Sequence, residues 1–127
     1  MAGIIMREAH FPGRAPIDAY GNMGFRFAGM SHRGSILCLP SGIHGWPATD
    51  AVNLAVADFA KAIEEQAVIE VMLIGTGTEP YPLPRELRVM LREAGLNAEI
   101  MTTSAAVSTF NILVEEGRQV AAALIAV

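Results

Sequence analysis

The sequence predicts an α/β domain built on a largely parallel sheet. Two observations carry this. Residues 68–74 form an apolar run (Val-Ile-Glu-Val-Met-Leu-Ile) that ends in Gly75-Thr-Gly-Thr78 and leads into a helical pattern. Residues 98–101 (Ala-Glu-Ile-Met) end in Thr102-Thr-Ser104 and lead into another. Strand, helix, strand, helix, strand is the order of a parallel α/β sheet. The carboxyl ends of such strands line a crevice where ligands bind.

From the N-terminus, residues 1–19 read as an irregular arm broken by Pro12, Gly13 and Pro16. Residues 20–40 predict a β-hairpin, its two extended runs split by Ser31-His-Arg-Gly34. Residues 41–47 read as a loop. Thr49 or Asp50 caps a helix of about five turns, with Val52, Val56, Phe59 and Ile63 on one apolar stripe. Residues 68–74 are apolar apart from Glu70, the pattern of a strand covered on both faces. Pro84 opens the next helix and Gly95 ends it; Leu87, Met90, Leu91 and Ala94 form its buried stripe. Thr103 or Ser104 caps a third helix that carries Ala106, Phe110, Leu113 and Val114 and ends at Gly117. Residues 120–127 close the chain as a strand, whose alanines predict close approach of helices or of another sheet edge.

At 127 residues the chain reads as one domain, residues 1–127, with 49–127 supplying the helix and the alternating strands and helices. The 52% hydrophobic content suits a well-covered sheet. One cysteine, Cys38, excludes an internal disulfide framework and a thiolate zinc site, and no metal is expected. Its place among Ile and Leu marks a core thiol. A reducing compartment, the cytoplasm, is the expected location. No apolar run approaches the ~18 residues of a membrane span, and the N-terminus lacks the features of a signal peptide. Nine basic residues, scattered in a chain of net charge −4, argue against nucleic acid as a partner.

Gly75, Thr76 and Gly77 form a glycine-rich strand-to-helix turn that can present backbone N–H groups to an anion. Pro80 stands where a dinucleotide fingerprint needs glycine, and no Gly-Lys-Ser/Thr ending is present. The plainer reading is a tight turn. Thr102, Thr103 and Ser104 are a second anion candidate, or else ordinary capping residues. If the two turns follow adjacent parallel strands, they face one crevice, to which Asn111 can add a hydrogen bond. His10, His32 and His44 form no pattern with a nucleophile or metal, so no catalytic residue and no cofactor are assigned. Glu70 fits an edge position or an arginine partner. Arg85, Arg88 and Arg92 share a helix face that reads as solvated or as a modest anion surface. Trp46, between Gly45 and Pro47, is an interface candidate or a cover for the core end.

Several blocks resemble a small family of domains of unknown function that includes mitochondrial complex I assembly factor 3. The blocks are Gly24-Phe25, Gly34-Ser-Ile-Leu37 with Pro40, Trp46, Gly75-Thr-Gly77 and Pro82. The C-terminal blocks are Met101-Thr-Thr-Ser-Ala-Ala106, Thr109-Phe-Asn-Ile-Leu-Val-Glu-Glu-Gly-Arg118 and Val120-Ala-Ala-Ala-Leu124. The resemblance implies a three-layer domain with a central mixed sheet and no established enzymatic activity. It also implies an assembly role with protein partners, as for the mitochondrial members. Ser108 departs from the pattern, where the resemblance calls for arginine. Without a basic, serine-rich transit segment, the chain reads as a bacterial member.

The functional expectation is therefore a non-enzymatic interaction or assembly domain. A protein or enzyme that binds a small molecule or anion in the crevice is the alternative. A homo-oligomer paired through the apolar C-terminal strand is a third reading.

Overall fold

The computed structural model describes residues 10–127; of the irregular arm expected over residues 1–19, residues 1–9 lie outside the described residues, and His10–Phe11 and Ala19 are strand rather than irregular. Nine strands are present among the described residues: β1 (His10–Phe11), β2 (Ala19–Gly21), β3 (Gly24–Phe27), β4 (Met30–Arg33), β5 (Ser35–Leu39), β6 (Gly42–Trp46), β7 (Val71–Gly75), β8 (Ala98–Met101) and β9 (Val120–Leu124). The helices are α1 (Ala60–Glu64), α2 (Arg85–Glu93) and α3 (Thr103–Glu115). A six-stranded mixed sheet has the order β1-β6-β5-β9-β7-β8, and β2-β3-β4 form a separate antiparallel meander. Strand β7 pairs parallel with β8 and β9, and the other pairings of the large sheet are antiparallel.

The layers follow from alternation along the central strands. Ile36, Cys38, Val71, Leu73, Val120, Ala122 and Leu124 face one side, where α3 and the meander cover them with Val107, Phe110, Phe25 and Phe27. Leu37, Leu39, Met72, Ile74, Ala121, Ala123 and Ile125 face the other, where Phe59, Ala62, Leu87 and Leu91 close the core. Period-two burial on both faces is why the strands read as unbroken apolar runs. Helix α3 packs closely on β7: a methyl group on Gly75 would lie 2.9 Å from the Thr103 Cα.

The N-terminal antiparallel unit differs from a single hairpin. Residues 20–30 fold back twice, at Asn22-Met23 and at Ala28-Gly29, all four with positive φ. These are hairpin turns whose twist matches the strands. Residues 31–33 are strand rather than turn, and the chain crosses to the large sheet at Gly34. The expected loop at 41–47 is also strand, because Ile43 and Trp46 are buried and pair with Cys38 and Ser35. The expected long helix after residue 49 is broken up. The Asp50 carboxylate accepts the Asn53 amide, and the Asp58 carboxylate accepts the Ala55 amide. Each caps a short turn and leaves Val52 outside the apolar stripe. Met90, expected on the buried face of α2, is exposed. Strand β9 lies between β5 and β7, so the C-terminal strand offers no edge to a second copy.

Candidate functional site

The first crossover runs from β7 through α2 to β8, and the second from β8 through α3 to β9. The two helices lie on opposite faces, so the connections diverge around β7. This is the position at which an open α/β sheet forms a crevice.

The two turns nominated from the sequence do meet, and they bind each other. The Thr103 amide donates to the Gly77 carbonyl at 2.9 Å, and the Gly77 amide donates to Thr103 Oγ1 at 3.0 Å. Thr103 Oγ1 in turn donates to the Ile125 carbonyl at 2.7 Å. Thr76 Oγ1 lies 2.8 Å from the Glu79 carbonyl and 3.1 Å from that of Met101, and accepts the Tyr81 amide at 3.0 Å. Thr102 caps α3 by accepting the Ala105 amide. Ser104 bonds the Tyr20 hydroxyl at 2.9 Å. Asn111 holds the backbone of Ile17 through both its N–H and its carbonyl. These polar atoms tie strand ends, helix starts and the N-terminal segment together.

An open crevice of about 460 Å³ remains beside them. Thr76 and Gly77 form part of its wall, whereas Thr102, Thr103, Ser104 and Asn111 do not line it. The other walls come from residues distant in sequence: Met23, the segment 49–52, the segment 78–81 and residues 125–127. Met23 is 51% exposed and Val52 62%, so two apolar side chains stand in solvent at the rim. Among the described residues the lining carries Asp50 and Glu79 but no arginine, lysine or histidine, an electrostatic setting that disfavours anions. Met23 is fixed there by its backbone, which donates to the Val127 carbonyl and accepts the Gly34 amide, both at 2.7 Å. Sequence reading missed Met23 and Val52. The available signal was Asn22, a residue that tolerates positive φ, between Gly21 and Gly24.

Trp46 lies elsewhere. It is 5% exposed, its ring centroid is 5.6 Å from that of Phe59, and its indole N–H donates to the Asp58 carbonyl at 2.7 Å. The side chain packs the core end and borders a surface concavity with Lys61 and Glu64.

Ser41, His44 and Glu65 also come together. Ser41 Oγ is 2.6 Å from Glu65 Oε2 and 3.1 Å from His44 Nε2. The carboxylate contacts the serine directly, so it does not orient the imidazole as a nucleophilic relay requires. Glu65 also accepts the Ser41 amide, which makes it a lock on the β5–β6 turn.

Residues 17–125 match a family described as a protein of unknown function (DUF498/DUF598). The chain belongs to this family. It is 37% identical over 119 residues to an uncharacterized protein of Rhodobacter capsulatus, a match covering 94% of this chain and 90% of that one. It is 30% identical over 122 residues to NADH dehydrogenase [ubiquinone] 1 alpha subcomplex assembly factor 3 of Mus musculus. That match covers 96% of this chain but 66% of the mouse protein. Among solved structures, a Bartonella henselae protein described as an outer membrane protein superposes with a TM-score of 0.87 at 58% identity. The superposition covers 92% of this chain and 98% of that one. No described helix of the present chain is long and apolar enough to cross a membrane.

Proposed function

We propose that this family member is a non-enzymatic interaction domain that works in assembly of the respiratory NADH dehydrogenase. The observation that carries the reading is the alignment with assembly factor 3, which runs through 96% of the chain. The crevice supports it physically. Its neighbouring hydroxyls are committed to internal hydrogen bonds, and its rim exposes Met23 and Val52. An open concavity with exposed apolar side chains fits a protein segment better than a small polar ligand. The partner surface is then the crevice bounded by Met23, Val52, Thr76 and Tyr81, with the cytoplasm as the compartment of action.

The test is deletion of the gene in cells that express it, with NADH dehydrogenase resolved on native gels. The expected result is loss of assembled enzyme, restored by the wild-type chain but not by a Met23→Asp, Val52→Asp variant of unchanged stability. Normal assembly in the deletion strain overturns the proposal. Restoration by the double variant removes the crevice from it. Fractionation of the same cells tests the compartment, and recovery of the protein with the outer membrane would refute a cytoplasmic role.

A further inference from the structure

We propose that the outer face of the β2–β4 meander binds a small phosphate monoester between Arg26 and Arg33. Antiparallel register carries the placement. Arg26 lies opposite Ser31, and Arg33 lies opposite Gly24, so Arg26, Ser31 and Arg33 project from one face. Arg26 and Arg33 are diagonal neighbours, with backbones about 7–8 Å apart, within reach of two long side chains converging on one group.

A concavity of about 270 Å³ lies on this face, lined by both arginines and by Ser31. Ala19 and Gly21 line it without large side chains, and nothing lies within 4 Å of a methyl group placed on Gly21, so backbone is open to approach there. No carboxylate of the described residues lines it, and neither guanidinium is ion-paired with a described residue. In a chain of net charge −4, two unpaired guanidiniums in one hollow form a local positive site rather than part of a basic surface. Ser31 supplies an independent sign. It is 8% exposed, and its hydroxyl has no hydrogen-bond partner among the described residues. Buried hydroxyls are nearly always satisfied, and an unsatisfied one on this face lacks an acceptor that a ligand oxygen would provide.

Geometry selects phosphate over carboxylate. Each guanidinium is a planar fork, and a tetrahedral dianion with three terminal oxygens can engage two forks and a hydroxyl at once. A planar carboxylate fills one fork. The concavity also exceeds the space a bare phosphate needs, which leaves room for a small organic body. The site is separate from the crevice proposed for a protein partner and stands or falls independently of it.

The test titrates the isotopically labelled protein with inorganic phosphate and with glucose 6-phosphate, at constant ionic strength made up with chloride. Saturable shifts are expected at the amides of Gly21, Gly24, Ser31 and Arg33, with the sugar phosphate binding more tightly. Arg26→Gln and Arg33→Gln should each weaken binding tenfold or more. Lysine variants at the same positions, which keep charge but lose the fork, should weaken it less. Arg85→Gln, on α2, should leave it unchanged. Shifts that merely follow ionic strength overturn the proposal, as does binding that survives in a double Arg26→Gln, Arg33→Gln variant. Saturation of the same amides by an aspartate-rich peptide but by neither phosphate would also overturn it, and would give this face to an acidic protein partner.

Discussion

Thr103 Oγ1 donates to the Ile125 carbonyl at 2.7 Å, joining the first residue of α3 to the chain just beyond the central strand β9. The same oxygen accepts the Gly77 amide, so a fully buried hydroxyl holds three segments. Thr103→Val keeps the shape and removes both bonds, leaving a carbonyl and an amide unsatisfied. The expected loss is roughly 2–4 kcal/mol, with Thr103→Ser losing less because it keeps the hydroxyl. Urea denaturation measures both. Equal losses for valine and serine would show that the methyl group, not the hydroxyl, matters.

Gly75 and Gly77 should respond to alanine for different reasons. At Gly75 the added methyl would meet Thr103 Cα at 2.9 Å, Thr103 Oγ1 at 3.1 Å and Ala106 Cβ at 3.2 Å. Helix α3 must then move, at a cost of about 1–3 kcal/mol. At Gly77 nothing lies within 4 Å, but φ is +111°. There the cost is conformational, about 1–3 kcal/mol, and no neighbour shifts. Amide chemical shifts of α3 separate the two: residues 104–107 should change in Gly75→Ala and stay in place in Gly77→Ala, where only the Thr103 amide, bonded to the Gly77 carbonyl, responds.

Legibility in the sequence followed the range of the interactions. Strands β7 and β8 and helix α3 were readable because burial period and capping are local. Their relation to β9 was not, since its insertion between β5 and β7 depends on a crossover over β7 rather than on any residue of the strand. The meander was obscured because Met23 and Ala28 adopt positive φ without being glycine. The helix expected after residue 49 failed because Asp50 and Asp58 cap two short turns instead of one long element.

At the site, sequence named the two turns and their proximity but not the direction of the hydroxyls. Whether a threonine faces a ligand or its own backbone depends on the neighbouring strand end, here Met101 for Thr76 and Ile125 for Thr103. The rim residues Met23 and Val52 are brought in from distant segments and carry no local signal of that meeting.

Asn111 should tether the segment before β2 to α3. Its side chain accepts the Ile17 amide at 2.8 Å and donates to the Ile17 carbonyl at 2.9 Å, as a neighbouring strand would. Asn111→Ala removes both bonds and should cost about 1–3 kcal/mol. Asn111→Asp keeps the acceptor but sets a carboxylate against the carbonyl. Hydrogen exchange at the Ile17 amide reports directly: strong acceleration is expected in the alanine variant. An unchanged rate would mean that packing of Ile17 in the core, not the amide clamp, holds the segment.

Cys38 should be inert in the folded chain. It is buried within β5, and burial pushes its pKa well above the ordinary thiol value. Reaction needs thiolate and access, and both are denied. Labelling by a thiol-specific disulfide reagent at pH 8 should therefore proceed only through opening of the sheet, and should speed up with urea in step with unfolding. Rapid labelling without denaturant would refute this.

Glu70 gives the chain a defined acid sensitivity. Its carboxylate accepts the Gln119 amide at 2.9 Å and lies 3.5 Å from the Arg118 guanidinium. The backbone bond is the main cause of its lowered pKa, and the charge of Arg118 adds to it. The folded state thus binds this proton less readily than the unfolded state does. Stability from the pair is present above the ordinary carboxylate value of 4.5 and is lost as pH falls through the lower folded value. The group is exposed, so the effect is small and screened by salt. Urea midpoints measured from pH 6 to pH 3 should fall more steeply for wild type than for Glu70→Gln, and the gap should narrow in high salt. Parallel curves for the two proteins would remove Glu70 from the acid response and leave the other carboxylates to account for it.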